Sequence, residues 1–186
     1  MPPKNKVSAE EIISAATELV RNQGAGALNA RDLAARLGCS TQPIFSNFAS
    51  MEELKIAVVK RADELCREYM RREEERGEFP LYKANGMAYI HFAREEKELF
   101  KLLYMRDRTE EQIPETDDLA EKMTSLISQN TGLDRSEALL FHLETWAFVH
   151  GIAVMLATGF LDLERELISK MLTDCFLGLK KQNEEE

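Results

Sequence analysis

The stretch from Asn29 to Leu54, NARDLAARLGCSTQPIFSNFASMEEL, constrains this chain more than any other, because it spells two short helices, a tight turn between them and the capped start of a third. Leu33, Ala34 and Leu37 recur at helical spacing, and Gly38 follows where a helix end needs a residue able to take positive φ. After a short turn, Ser40 or Thr41 can cap the next helix, whose inward positions would be Ile44 and Phe48. Thr41, Gln42, Phe45, Ser46 and Asn47 would then face outward. Those types suit a DNA groove. Gln and Asn pair two-pronged with an adenine edge, Ser and Thr bond a base or a phosphate, and Phe45 can lie on sugar or a thymine methyl.

At these residues the chain resembles the TetR family of dimeric transcriptional regulators, whose helix-turn-helix ends in a Gly-x-Ser…Tyr-x-x-Phe pattern before a long fourth helix. Here the pattern reads Gly38-Cys39-Ser40…Phe45-Ser46-Asn47-Phe48. The resemblance implies a homodimer on a pseudo-palindromic double-stranded operator, and the DNA-contact candidates are Asn29, Arg31, Ser40, Thr41, Gln42, Phe45, Ser46, Asn47 and Lys55. Two positions depart from the family pattern. Phe45 stands where a phosphate-binding Tyr is usual, and Met51 where a Lys usually opens the fourth helix, with Lys55 one turn on as a substitute. Phosphate contacts supply affinity and little sequence information, so these departures predict weaker, more salt-sensitive binding with specificity kept. The alternative is a DNA-independent ligand sensor or scaffold dimer that has lost operator binding.

The chain's formal net charge of -9 looks wrong for a DNA binder until it is divided along the sequence. Residues 1–50 carry five Lys/Arg against four Asp/Glu, whereas residues 77–186 carry twelve against twenty-one. Acid on a separate body of helices is screened over a Debye length of about 8 Å, so it permits DNA binding at the other end. The abundance of Leu, Ala, Glu, Met and Lys without alternating Val/Ile/Thr runs predicts an all-α fold. Three widely spaced cysteines, Cys39, Cys66 and Cys175, imply neither disulfides nor a zinc framework, and no apolar run follows the N-terminal lysines. A cytoplasmic protein is expected.

Capping boxes at Ser8-x-x-Glu11 and Ser50-x-x-Glu53 open the first and fourth helices, and Asn29 caps the second. No proline interrupts Met51 to Arg76, a helix of about 39 Å at 1.5 Å per residue, long enough to leave a DNA-binding domain at residues 1–50 and enter a helical body spanning 51–186. Further helices are expected at about 81–93, 97–105, Thr116–Gln129, 138–157 and 162–179. The segment from Ala138 to Ala157 is apolar nearly all round, which predicts a helix buried on most sides. A membrane span is disfavoured by Glu144, which would cost roughly 2.5–3.5 kcal/mol at its centre.

The TetR resemblance implies that the last two helices pair with those of a second subunit, with Ala153, Leu167, Leu172, Phe176 and Leu179 as interface candidates. Trp146-Ala-Phe-Val-His150-Gly151 also looks like the WHG type of TetR C-terminal domain. Relatives bind effectors among helices four to eight, so Tyr82, Tyr89, Phe92, Phe100, Tyr104, Met123, His142 and Trp146 are the candidates for a pocket taking a small hydrophobic molecule that releases a repressor from DNA. Ordinary core packing competes with this reading for at least half of them. The acidic excess leans toward a neutral or cationic effector. His142 and His150 lie two turns apart on one face, yet no short His/Cys/carboxylate cluster accompanies them, so buried histidines outweigh a metal site. Neither a nucleophile elbow nor a phosphate-cradling glycine loop is present, and no enzyme activity or cofactor is expected. Cys39 reads as a packed thiol rather than a redox switch.

Overall fold

The computed structural model describes residues 7–107, 109 and 118–185. Among the described residues the regular elements are nine α-helices and one short 3-10 turn. They form two compact units, Met1–Arg67 with Glu96–Arg106, and Glu68–Glu95 with Asp107–Glu186. The division falls inside the long fourth helix, which the two units share, and a later helix joins the first unit.

In the first unit, α1 (Ala9–Gln23) starts at a reciprocal box in which the Glu11 amide donates to Ser8 Oγ at 3.1 Å and the Ser8 amide to Glu11 Oε2 at 2.8 Å. Ile12, Ala16, Leu19 and Val20 form its buried stripe. Asn29 Oδ1 accepts from the amides of Arg31 and Asp32, opening α2 (Ala30–Arg36). Gly38 takes φ +64 just beyond its end, a conformation that costs an L side chain roughly 1–2 kcal/mol. α3 (Gln42–Asn47) starts differently from expectation: Thr41 occupies the capping position but its hydroxyl makes no cap bond. The proline at Pro43, whose ring presets a helical φ, supplies the start instead.

α4 (Met51–Arg76) is one unbroken helix of 26 residues. The Glu53 amide donates to Ser50 Oγ at 3.1 Å, while the Glu53 carboxylate reaches back to the Ala49 amide at 2.5 Å, one residue earlier than a standard box. Leu54, Val58, Ala62 and Cys66 bury one face at four-residue intervals. α6 (Lys97–Tyr104) adds Leu99, Phe100, Leu102 and Leu103 to this core and packs on α1. Arg21 Nε donates to the largely covered Glu96 carboxylate at 2.7 Å, fixing α1 to the start of α6.

In the second unit, α5 (Leu81–Glu95) packs against α7 (Asp118–Thr131), α8 (Arg135–Ala157) and α9 (Arg165–Glu185). The first two residues of the expected Thr116–Gln129 helix lie outside the described residues. The most enclosed helix is α5, not the Ala138–Ala157 segment: Ala84, Asn85 and every residue from Met87 to Ile90 are buried, as are Phe92 and Ala93. Gly86 explains how neighbours get so close, because a Cβ there would sit 3.0 Å from Leu172 Cδ2 and 3.6 Å from Val149 Cγ2. α8 is long and apolar enough to cross a membrane by length and composition. Its positions Phe141, Thr145, Val149, Ile152, Ala153 and Leu156 make one buried stripe against α5, α7 and α9, while much of the rest of α8 is exposed, so the expectation of burial on most sides does not hold.

Candidate functional site

α3 presents two faces with opposite chemistry. Ile44 is fully buried and Phe48 nearly so, whereas Thr41, Gln42, Phe45, Ser46 and Asn47 are all exposed, Phe45 to 50%. The local reason is the helical period, which puts the two apolar anchors four residues apart on the inner side. The outward polar groups are not equally available. Ser46 Oγ donates to the Gln42 carbonyl at 2.9 Å, and Asn47 Nδ2 donates to the Pro43 carbonyl at 2.8 Å and weakly to the Val7 carbonyl at 3.4 Å. Among the described residues the Gln42 amide makes no side-chain bond, so it keeps its two-pronged capacity.

The remaining contact candidates divide by role. Asn29 spends both ends of its amide locally, accepting at the α2 cap and donating to Ala27 O and Asp32 Oδ2, so its function is to hold the helix-turn-helix. Ser40 and Arg31 are exposed, and Lys55 lies 3.7 Å from Glu52 in a loose surface pair. Arg36, on the last turn of α2, was not among the sequence candidates; it is exposed and, like Arg31, forms no ion pair among the described residues. Its signal was available. It is the second arginine flanking the buried pair Leu33-Ala34, on the outer side of a helix whose inner side faces the core.

Residues 12–58 match the family model described as bacterial regulatory proteins, tetR family, and residues 82–174 match the model described as tetracyclin repressor-like, C-terminal domain. The chain belongs to the TetR family. It is a DNA-binding transcriptional regulator with a helical C-terminal domain. Solved structures share its fold. One is a protein of unknown function from Rhodococcus sp. RHA1, at TM-score 0.74 and 21% identity, covering 97% of this chain and all of that one. A second is a TetR-like transcriptional regulator from the same organism, at TM-score 0.68 and 14% identity over 94% of this chain and 96% of that one. The multidrug binding protein EbrR, solved with imidazole, matches at TM-score 0.61 and 19% identity, with 90% and 93% covered. Among curated proteins nothing matches.

The eight effector candidates of this TetR-family regulator are divided between the two compact units. Phe100 and Tyr104 belong to the first unit, where Phe100 is fully buried and Tyr104 Oη lies 3.7 Å from Cys66 Sγ, a thiol that burial pushes up to about 12. In the second unit Phe92 and Met123 are packed core. Tyr82 Oη meets His142 Nδ1 at 3.0 Å, and seven residues on Tyr89 Oη meets His150 Nδ1 at 2.9 Å, so two tyrosine–histidine pairs join α5 to α8. Burial raises the Tyr82 phenol to about 12 and holds the His150 imidazole below its usual range. Trp146 does not line an interior at all: it is 45% exposed and stacks on the His150 ring at 5.1 Å and 16°. The Trp…His-Gly motif therefore builds an outer surface of α8.

Most of the expected dimer contacts are likewise spent within the chain. Ala153 is fully buried and Leu172 is 5% exposed, while Phe176 and Leu179 pack on the cluster of Ile127, Ala138 and Phe141. The apolar stripe of α9 faces its own core, and of the five candidates Leu167 alone is exposed. Exposed apolar side chains lie on both helices, at Leu139, Leu140, Leu143, Trp146 and Phe148 of α8 and at Leu167 and Leu177 of α9.

Proposed function

We propose that this TetR-family regulator is a cytoplasmic homodimeric repressor that holds a pseudo-palindromic operator and releases it when a small hydrophobic molecule enters its C-terminal body. The outer face of α3 carries the reading, because it presents an exposed Gln42, with no side-chain bond among the described residues, beside an exposed aromatic ring. Phosphate contact falls to Arg31, Arg36 and Lys55, whose cations are unpaired or only loosely paired. The exposed face of α8 supports the dimer. A patch of Leu139, Leu140, Leu143 and Trp146 is covered at least cost by the same patch on a second copy, as two-fold symmetry requires.

The ligand reading draws on EbrR, whose description as a multidrug binding protein concerns that protein and makes a small-molecule effector reasonable here. α4 is the element on which coupling would act, since its 26 residues run unbroken from one compact unit into the next. Two heads must meet half-sites roughly 34–36 Å apart or a multiple of that, so a small change in helix direction breaks register. Footprinting on DNA upstream of the gene tests the function. A protected two-fold-related pair of half-sites is expected; no protected site at low salt would favour the DNA-independent sensor.

A further inference from the structure

A cleft in the second unit, lined by none of the eight effector candidates named above, carries an unusual set of side chains. Its volume is about 240 Å³, smaller than the roughly 300–1,000 Å³ that drug-sized ligands occupy. Met87 and Ile90 of α5 and Ile168 of α9 line it and are each at most 3% exposed. Arg76 from the last turn of α4, Arg94 from α5 and Arg165 from the first turn of α9 line it too. On this basis, and resting on the effector reading above, we infer that the effector is a small organic monoanion: one carboxylate on a compact apolar body, held between these arginines and the Met87–Ile90–Ile168 surface.

The exposure of the paired carboxylates and the unmet Arg94 Nε argue for the anion. Among the carboxylates that pair with the three arginines only Glu73 is buried, at 3% exposure, and it is already shared by Arg76 at 2.9 Å and Arg165 at 2.7 Å. The others are displaceable. Glu78, which pairs with Arg165 at 2.6 Å, is 53% exposed, and Asp162, which pairs with Arg94 at 3.1 Å, is 94% exposed. Arg94 is the least satisfied: its Nη2 also donates to the Leu163 carbonyl, but its Nε is buried without an acceptor. A guanidinium binds carboxylate in a two-pronged fork, so an incoming acid offers Arg94 and Arg165 better-placed acceptors than mobile surface side chains do. Three guanidiniums against Glu73, Glu78 and Glu95 balance to zero, so an anion enters only by displacing an exposed carboxylate, which sets a monoanionic carboxylate ahead of a phosphate dianion. The site also grips the end of α4 directly, because the same Arg76 and Arg165 that would turn to the ligand hold Glu73 of that helix.

Isothermal titration calorimetry on the full chain tests this with hexanoate, octanoate and phenylacetate, their neutral amides hexanamide, octanamide and phenylacetamide, and inorganic phosphate. At least one acid should bind about tenfold or more tightly than its amide, and phosphate should bind more weakly than that acid. Arg94→Gln, which unpairs no buried carboxylate, should abolish most of the preference for acid over amide while the melting temperature stays near wild type. Glu78→Gln removes a competing carboxylate and should tighten acid binding several-fold. Acids that bind no better than amides, an Arg94→Gln protein with unchanged acid affinity, or phosphate as the preferred probe would each overturn the assignment. The calorimetry needs no DNA. Operator binding that persists without acid binding sinks the cleft alone, whereas acid binding that leaves operator affinity unchanged upholds the cleft and sinks its role in release.

Discussion

Replacing Leu143 by Glu should separate the dimer without unfolding the subunit. Leu143 is 51% exposed on the outer face of α8, between Leu139 and Trp146 at helical spacing. Within one subunit the change removes about half of a leucine's burial, which at roughly 1.5–3 kcal/mol for complete burial is about 1 kcal/mol of fold stability. In the two-fold interface the carboxylate appears twice. An unpaired carboxylate trapped among apolar groups costs several kcal/mol after relaxation, so two should cost at least about 6 kcal/mol, or roughly four decades in the dimer constant at 1.4 kcal/mol per decade. Leu172→Asp is the control, because Leu172 is 5% exposed and touches the space at Gly86, so its charge enters the subunit's own core. Sedimentation velocity with parallel thermal melts distinguishes the two. Leu143→Glu should give folded monomers that lose operator affinity, and Leu172→Asp should lower the melting temperature sharply at any concentration. A Leu143→Glu protein that remains dimeric at wild-type dissociation concentrations would refute the placement of the interface on this face.

Gln42→Ala should cost about 1–3 kcal/mol of operator affinity and relax preference at one base pair per half-site in a systematic operator scan, while Lys55→Ala should weaken all sequences alike and lower the salt slope by about one per subunit. Because burial lowers the His150 pKa, the unfolded chain takes up that proton first as the pH falls through about 6.5, so His150 makes stability drop with falling pH until its folded value is reached. Melts of wild type and His150→Asn across that window should differ in slope, with the wild type the more acid-sensitive; equal slopes would remove His150 from the pH response. Inserting Gly-Gly after Arg61 interrupts α4 between Val58 and Cys66 of its buried stripe, and should leave ligand binding in the second unit while reducing ligand-driven loss of operator affinity. Undiminished release from DNA would move the coupling to another route, with the Arg21–Glu96 bond between α1 and the start of α6 the first to test.

What the sequence determined by itself is local. The Ser8 and Ser50 boxes, the Asn29 cap, the positive φ at Gly38, the unbroken run from Met51 to Arg76 and the division of α3 into Ile44 and Phe48 inside and Gln42 and Phe45 outside depend on residues within one or two helical turns. Periodicity and capping chemistry read such features directly. Tertiary structure decided which apolar faces meet. α8 is apolar all round, and its pattern cannot say which side its own unit covers; α5 took the enclosed position because Gly86 admits Leu172 and Val149 so closely. The stripe of α9 looked outward-capable for the same reason, yet Phe176 and Leu179 had partners waiting on α7 and α8. Arg76, Arg94 and Arg165 are separated by 18 and 71 residues along the chain, and no local period links them. Only the packing of α4, α5 and α9 brings the three guanidiniums to one cleft, because contacts between distant segments are fixed by how whole helices fit together.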